Sequence, residues 1–304
     1  MLLRHATVFI PAKEVFFVIV DLHTHIFPDK VAHIAIPKLR DSSHTHPFTD
    51  GTAAGLRRAM DETGVDLSVV LPVATNPQQV ARVNDSSARM NRGGNGVISF
   101  GAIHPDCADW KEELDRIAAL GLKGIKIHPI YQGVDMDDVR YVRILARAGE
   151  LGLAVVVHAG RDIGFPGEEK CTPAMLRRAV QAAGPVKLIA AHMGGWRNWD
   201  VVGECLADTT VGLDTSYALG RVAQEGEGHF APEELELMSQ EQFVGLVRQF
   251  GVDRIYFGTD SPWRGHEESL AELRALPLTE TEKAMILGEN ACRLLALDGW
   301  EENT

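Results

Sequence analysis

Asp21-Leu22-His23-Thr24-His25 sets two imidazoles two residues apart at the end of a short apolar run. On an extended chain the side chains of residues i and i+2 point to the same side, so both rings can face one cation. Neutral imidazole suits zinc and other first-row divalent metals. Polar residues also follow later apolar runs: His104, Lys126, His128, His158, His192, Asp214 and Asp260. His158 would add a third nitrogen and Asp260 a carboxylate. That set leaves one coordination position for water, as a catalytic zinc site needs. A metal lowers the pKa of bound water toward neutrality. A carboxylate beside it can take that proton and later deliver it to a leaving group.

Residues so far apart in sequence need a scaffold that brings them together. Eight apolar runs read as buried strands: residues 16–20, 67–71, 97–102, 122–127, 154–157, 186–191, a weaker 211–214, and 254–257. Amphipathic stretches separate them and read as helices at 52–63, 77–91, 109–120, 137–151, 198–206, 232–250, 266–276 and 279–297. Gly64, Gly121, Gly152 and Gly251 follow four of them as C-terminal stops. Thr172-Pro173 opens a further helix with a cap and a first-turn proline. Eight strands alternating with helices predict an α/β fold, a closed parallel (β/α)8 barrel. An open doubly wound sheet usually carries a glycine-rich phosphate loop after its first strand. Here the first strand runs into Asp21-Leu22-His23-Thr24-His25 instead. In a barrel the C-terminal strand ends converge on one pocket, where the polar residues above would meet. Residues 1–304 read as one domain, with 1–15 as an N-terminal extension. Residues 26–50 are long for a βα loop and are expected to form a partly ordered, cap-like insertion over the barrel mouth.

The opening motif resembles the D-x-H-x-H signature of the amidohydrolase superfamily. Gly124-Ile125-Lys126-Ile127-His128-Pro129, Val157-His158-Ala159-Gly160, Ala191-His192-Met193-Gly194-Gly195 and Phe257-Gly258-Thr259-Asp260-Ser261-Pro262 are similar to the amidohydrolase-related subgroup, across residues 17–295. The resemblance implies that His23, His25 and His158 are metal ligands. It implies that Asp260 is a ligand and proton shuttle, and that His192 orients or polarises the substrate or the water. Lys126 sits where binuclear relatives place a carboxylated bridging lysine. The subgroup is usually mononuclear, so an ordinary or substrate-binding lysine and a single metal are expected. Zinc is the first choice, with manganese or iron as alternatives.

Other residues carry weaker signals. His128 is a substrate-facing or structural candidate. Arg161 could clamp a substrate carboxylate or pair with Asp162 or a neighbouring loop. Asp21 is expected to orient its neighbours rather than bind metal. Asp214 either anchors the barrel or touches substrate. Trp263 lies in a candidate mouth loop with His44 and His46. Trp196, Arg197 and Trp199 either wall the pocket or pack.

Bulk composition excludes some classes. The chain has 304 residues, 45% hydrophobic and 24% charged, with a net charge of −12. No basic footprint for nucleic acid exists. The apolar stretches near the N-terminus are too short to span a bilayer. Cys107, Cys171, Cys205 and Cys292 lie far apart and form no C-x-x-C pair, which reads as thiols in a reducing, cytoplasmic setting. Homodimers are common among such enzymes, and the sequence does not itself give the oligomeric state.

The expected activity is hydrolysis of an amide, cyclic amide, ester or lactone of a small molecule. Asp21 to Pro28 also resembles the aminocarboxymuconate semialdehyde decarboxylase branch, so non-oxidative decarboxylation is the alternative. The same ligands serve either reaction. An arginine placed for a departing carboxylate, Arg161 or Arg197, would favour the lyase. Ser261-Pro262-Trp263 after Asp260 departs from that branch's pattern. A metal-binding barrel without turnover is the third reading, and the complete set of ligand candidates argues against it.

Overall fold

The computed structural model describes residues 18–297. Eight parallel strands follow one another around a barrel: β1 Val20–Thr24, β2 Leu67–Val70, β3 in two pieces (Val97–Ser99 and Gly101–Ala102), β4 Gly124–Ile127, β5 Ala154–Val157, β6 Lys187–Ala190, β7 Gly212–Asp214 and β8 Ile255–Tyr256. Each pairs in parallel with its successor, in registers such as Ala102 beside Lys126 and Val157 beside Ala190. Backbone bonds from Leu22 N to Phe257 O at 2.9 Å, Asp260 N to His23 O at 2.8 Å and His25 N to Ser261 O at 2.6 Å join β1 to the end of β8. These bonds close the ring, which is the physical difference between a barrel and an open sheet.

Side-chain alternation along the strands builds two layers. Val155 and Val157 of β5 pack with helix residues such as Ile144 and Leu176. Ala154 and Val156 pack instead with Val20, Leu22, Leu67 and Phe100. Ile125 and Ile127 of β4 also join the helix-facing cluster. Strand period therefore sends Lys126 the other way, off the helix layer.

Local chemistry explains several element boundaries. Thr52 and Thr172 cap their helices by accepting from Gly55 N and Met175 N. Gly64 ends the first of these in a left-handed conformation with φ 74°.

The structure differs from expectation at three places. The first strand lies at Val20–Thr24, later than 16–20, so Asp21 and His23 are strand residues rather than loop residues. Residues 1–15, read as an extension, lie outside the described residues. Within the segment 26–50, Asp29–Ser43 is a helix with Pro37 inside it, which was not foreseen. An internal proline breaks one helical bond and argues against a helix in sequence. This helix and the residues after it pack on the 221–230 segment, where His44 stacks on His229 at 3.7 Å and Thr45 pairs with Gln224. Finally, the stretch 232–250 divides into Pro232–Leu235 and Gln240–Phe250. Ser239 starts the second helix with a capping box to Gln242, which forces an extended break before it.

Candidate metal centre

β1 brings His23 and His25 to the mouth, and the turn after β8 brings Asp260 to meet them. His23 Nε2 lies 3.2 Å from His25 Nε2, and Asp260 Oδ1 lies 3.4 Å and 3.2 Å from the two nitrogens. All three donor atoms fall within 4.8 Å of one another. His192 Nε2 and His158 Nδ1 form an adjoining pair at 3.0 Å. The His192 ring is 5.3 Å from that of His23.

Hydrogen bonding on the outer side of each ring fixes its tautomer. His25 Nδ1 donates to Leu71 O at 2.9 Å, and His192 Nδ1 donates to Ser216 O at 3.0 Å. His23 Nδ1 donates to the Asp214 carboxylate at 2.8 Å. His158 Nε2 donates to Arg161 O at 3.2 Å. Carbonyl and carboxylate oxygens only accept, so the inward nitrogens His23 Nε2, His25 Nε2, His192 Nε2 and His158 Nδ1 carry bare lone pairs. Bare lone pairs do not approach to about 3 Å without a positive charge between or beside them. Burial, and next the Lys126 ammonium, hold His23 well below the ordinary imidazole pKa. Burial does the same for His158 and His192. These are neutral imidazoles, as metal ligands must be. Burial opposes the Asp260 carboxylate, but its polar surroundings outweigh burial and its pKa lies below the usual range. Neutral nitrogens and an ionised carboxylate in one pocket fit a divalent cation.

Carboxylates behind the ligands set their orientation. Asp214 Oδ2 takes His23 Nδ1, while its Oδ1 accepts from His192 N and Ser216 N at 3.0 Å and 3.1 Å. One buried aspartate at the end of β7 thus ties two candidate ligands together. Asp21 turns away from the centre. It accepts from His23 N, Thr259 N and Thr259 Oγ1, and faces His266 Nε2 at 3.1 Å. It therefore staples β1 to the turn that carries Asp260, an orienting role.

The backbone at the centre is unusual. His192, Met193, Tyr217 and Asp260 all adopt left-handed φ, between 50° and 72°. Such conformations in non-glycine residues cost energy and persist where the surroundings impose them. Gly258 is the converse case, because a Cβ there would lie 2.9 Å from His23 Cβ and 3.4 Å from Ser216 Cβ. We expect Gly258→Ala to push His23 off its position, destabilise the fold by about 1–3 kcal/mol and weaken metal binding. Thermal melts and a metal titration check this. Unchanged values for both would show that the close approach has slack.

The remaining expected residues divide. Lys126 is inside the site: its Nζ contacts His23 Nε2 at 3.0 Å, it is 1% exposed, and burial lowers its pKa to about 8. His128 is buried, stacks on His158 at 4.1 Å and faces Asp162 Oδ2 at 3.5 Å. His158 also approaches Asp162, at 3.8 Å, and belongs to this second group rather than to the compact trio. Trp263 packs, half-buried, with Trp196 and Tyr217. Arg161 follows the loop-pairing alternative: its guanidinium is largely exposed and pairs with Glu169 at 3.8 Å, while its carbonyl serves His158. Arg197 lies over the rings of Trp196 and Trp199 and donates to the carbonyls of Glu234 and Glu236. His104 stays apart and accepts from Asp106 N in its own turn.

Sequence reading missed Asp162, Ser216 and Tyr217 as site residues. Burial raises the Asp162 pKa to about 6. Asp162 follows His158 by four residues beyond a strand end, and Ser216 follows Asp214 by two. Proximity to the motifs was the only signal available for them.

A family model described as amidohydrolase matches residues 20–297. The chain belongs to the amidohydrolase family. No curated protein matches the sequence significantly. Among solved structures, 5-carboxyvanillate decarboxylase from Sphingomonas paucimobilis is similar at TM-score 0.66 and 18% identity, over 92% of this chain and 99% of that one. A dihydroxybenzoic acid decarboxylase from a Polaromonas species, solved with bound manganese and 2-nitroresorcinol, aligns at TM-score 0.66 and 16% identity, over 95% and 99% of the two chains. A proposed 2-pyrone-4,6-dicarboxylic acid hydrolase from Pseudomonas putida aligns at TM-score 0.62 and 16% identity, over 93% and 99%. These likenesses establish the barrel. This family member is a metal-dependent enzyme, and its centre offers histidine and aspartate donors for a divalent ion.

Proposed function

We propose that the protein is a metal-dependent hydrolase that opens a C–O or C–N bond of a small molecule. The observation that carries this reading is Asp260: an ionised carboxylate 3.2 Å and 3.4 Å from two bare imidazole nitrogens. His23, His25 and Asp260 would hold the metal, with His158 and His192 beside them. The metal, when bound, supplies a positive charge that makes water a nucleophile at neutral pH. Asp260 would accept the proton of an attacking water and return it to the leaving atom. His192, fixed by Ser216 O, presents Nε2 toward the reacting group. Lys126 supplies the cation nearest the ligands and can hold an anionic oxygen of the substrate. Asp214 keeps His23 and His192 in register throughout.

Both arginines that would favour the lyase have other partners, Glu169 for Arg161 and backbone carbonyls for Arg197, which supports the hydrolase reading. One observation supports decarboxylation as the second reading. The structural relatives include decarboxylases of ring-bearing acids, and aromatic residues flank this centre too. Zinc remains the first choice of metal, and manganese is supported by its presence in a relative.

The deciding experiment loads the protein with zinc or manganese and offers lactones, cyclic amides, esters and aromatic or muconate-like acids. Oxygen-18 from solvent water is expected in the product of a cleaved ring or ester. Carbon dioxide release without oxygen uptake would replace the hydrolase with the lyase. We expect about one tightly held metal per chain. Two would bring in the His158 and His192 pair and require Lys126 to be carboxylated, as in binuclear relatives.

A further inference from the structure

Tyr217 and Trp196 are among the buried residues near the centre whose polar side-chain atoms have no partner. Tyr217 is 6% exposed and Trp196 is 9% exposed, yet neither the tyrosine hydroxyl nor the indole Nε1 makes a hydrogen bond. A buried donor left without a partner is costly, and native structures rarely tolerate one without a use. The two rings are neighbours, 6.4 Å between centroids and tilted by 52°. Both belong to a small apolar cluster at the mouth, separate from the barrel core, with Val222, Leu235, Leu237 and Trp263.

Both residues are held by the loops that carry the candidate ligands. Trp196 donates its backbone N to Ala159 O at 2.9 Å and accepts from Arg161 N at 3.0 Å, which clamps it between the turns after β5 and β6. The Arg197 guanidinium lies over its ring at 4.8 Å. Tyr217 follows Ser216 in a left-handed conformation, φ 50°. Its hydroxyl lies within the electrostatic reach of Asp260, of the Arg264 and Arg197 guanidiniums, and of Asp162. On the opposite side, Tyr131 also feels Asp162 and Asp260, and it packs edge-on against Phe165 at 5.0 Å. Aromatic rings from the β4 side and from the β6 to β8 side thus flank the centre. That arrangement suits a flat molecule.

We propose that Tyr217 and Trp196 are specificity-determining residues that receive a second oxygen of a flat, conjugated substrate. One functional group of the substrate reaches the metal. An acceptor oxygen elsewhere on the same planar frame takes the Tyr217 hydroxyl and the Trp196 N–H. The substrate class is a planar cyclic or conjugated compound with a carboxylate or carbonyl remote from the reacting bond. This rests on the metal-centre reading above and adds the feature that selects the substrate.

The test uses manganese-loaded full-length protein and three simple acids as probes: benzoate, isophthalate and cyclohexanecarboxylate. Calorimetry is expected to show isophthalate binding about tenfold tighter than benzoate, from hydrogen bonds to its second carboxylate. Cyclohexanecarboxylate should bind more weakly than benzoate because it is not flat. Tyr217→Phe and Trp196→Phe should each remove most of the isophthalate advantage and leave benzoate affinity and manganese content unchanged. The Tyr217→Phe change deletes only an oxygen, so its fold is the safer of the two. Persistence of the isophthalate advantage in both variants overturns the proposal, as does loaded protein that prefers no probe. Protein that takes up no manganese overturns the metal-centre reading, and this proposal with it.

Discussion

Asp260→Asn is expected to lower kcat/KM by about a thousandfold to ten-thousandfold in metal-loaded protein. The substitution keeps the shape of the side chain and one oxygen that can face the metal. It also suits the backbone, because Asp260 has φ 72° and asparagine tolerates that region well. The bond from Asp260 N to His23 O at 2.8 Å is untouched. What is lost is the carboxylate, whose pKa lies below the usual range despite its burial. An amide cannot accept the proton of an attacking water. Rates, metal content and a thermal melt measured on one preparation check this. A variant that holds its metal and turns over at near the parental rate would remove Asp260 from the role of base and leave it as a ligand alone.

His23→Ala should act through a different quantity, metal affinity. Loss of an outer partner of a ligand costs about 10–100-fold in metal affinity, and loss of the ligand itself should cost more. Activity falls with occupancy. The change also strands its neighbours. Asp214 loses its Oδ2 partner, and Lys126 Nζ loses its contact at 3.0 Å. Asp214 is completely buried, but Oδ1 keeps the donors from His192 N and Ser216 N. A stability loss of about 1–3 kcal/mol is therefore expected rather than collapse. A metal titration paired with a denaturant melt separates the two effects. Retention of a full metal equivalent at unchanged affinity would take His23 out of the ligand set.

Much of this site was legible because strand chemistry is local. Apolar runs with β-branched residues announce buried strands, and a polar residue just past each run lands at the same end of a parallel barrel. His23 and His25 share a side because of a two-residue period, and their meeting in the structure needs only that β1 be extended. Lys126 follows the same logic, since Ile125 and Ile127 belong to the helix-facing layer. The start of β1 was misplaced because the apolar run at 16–20 continues into Val20 and Leu22, which are equally buried. The helix at Asp29–Ser43 was missed because Pro37 is a local signal against it, and packing on the 221–230 segment overrode that signal.

The amino-acid sequence by itself determined the barrel, the candidate ligand types and the order in which they arrive. Those properties depend on residue type and short spacing. Tertiary structure alone decided which atoms face inward, because each tautomer is set by a distant acceptor: Leu71 O for His25, Asp214 for His23, Ser216 O for His192. It also decided that Arg161 turns out to Glu169 and that Tyr217 and Trp196 lie buried without partners. Such contacts join residues from separate loops, and their free energy depends on geometry that closure of the barrel creates.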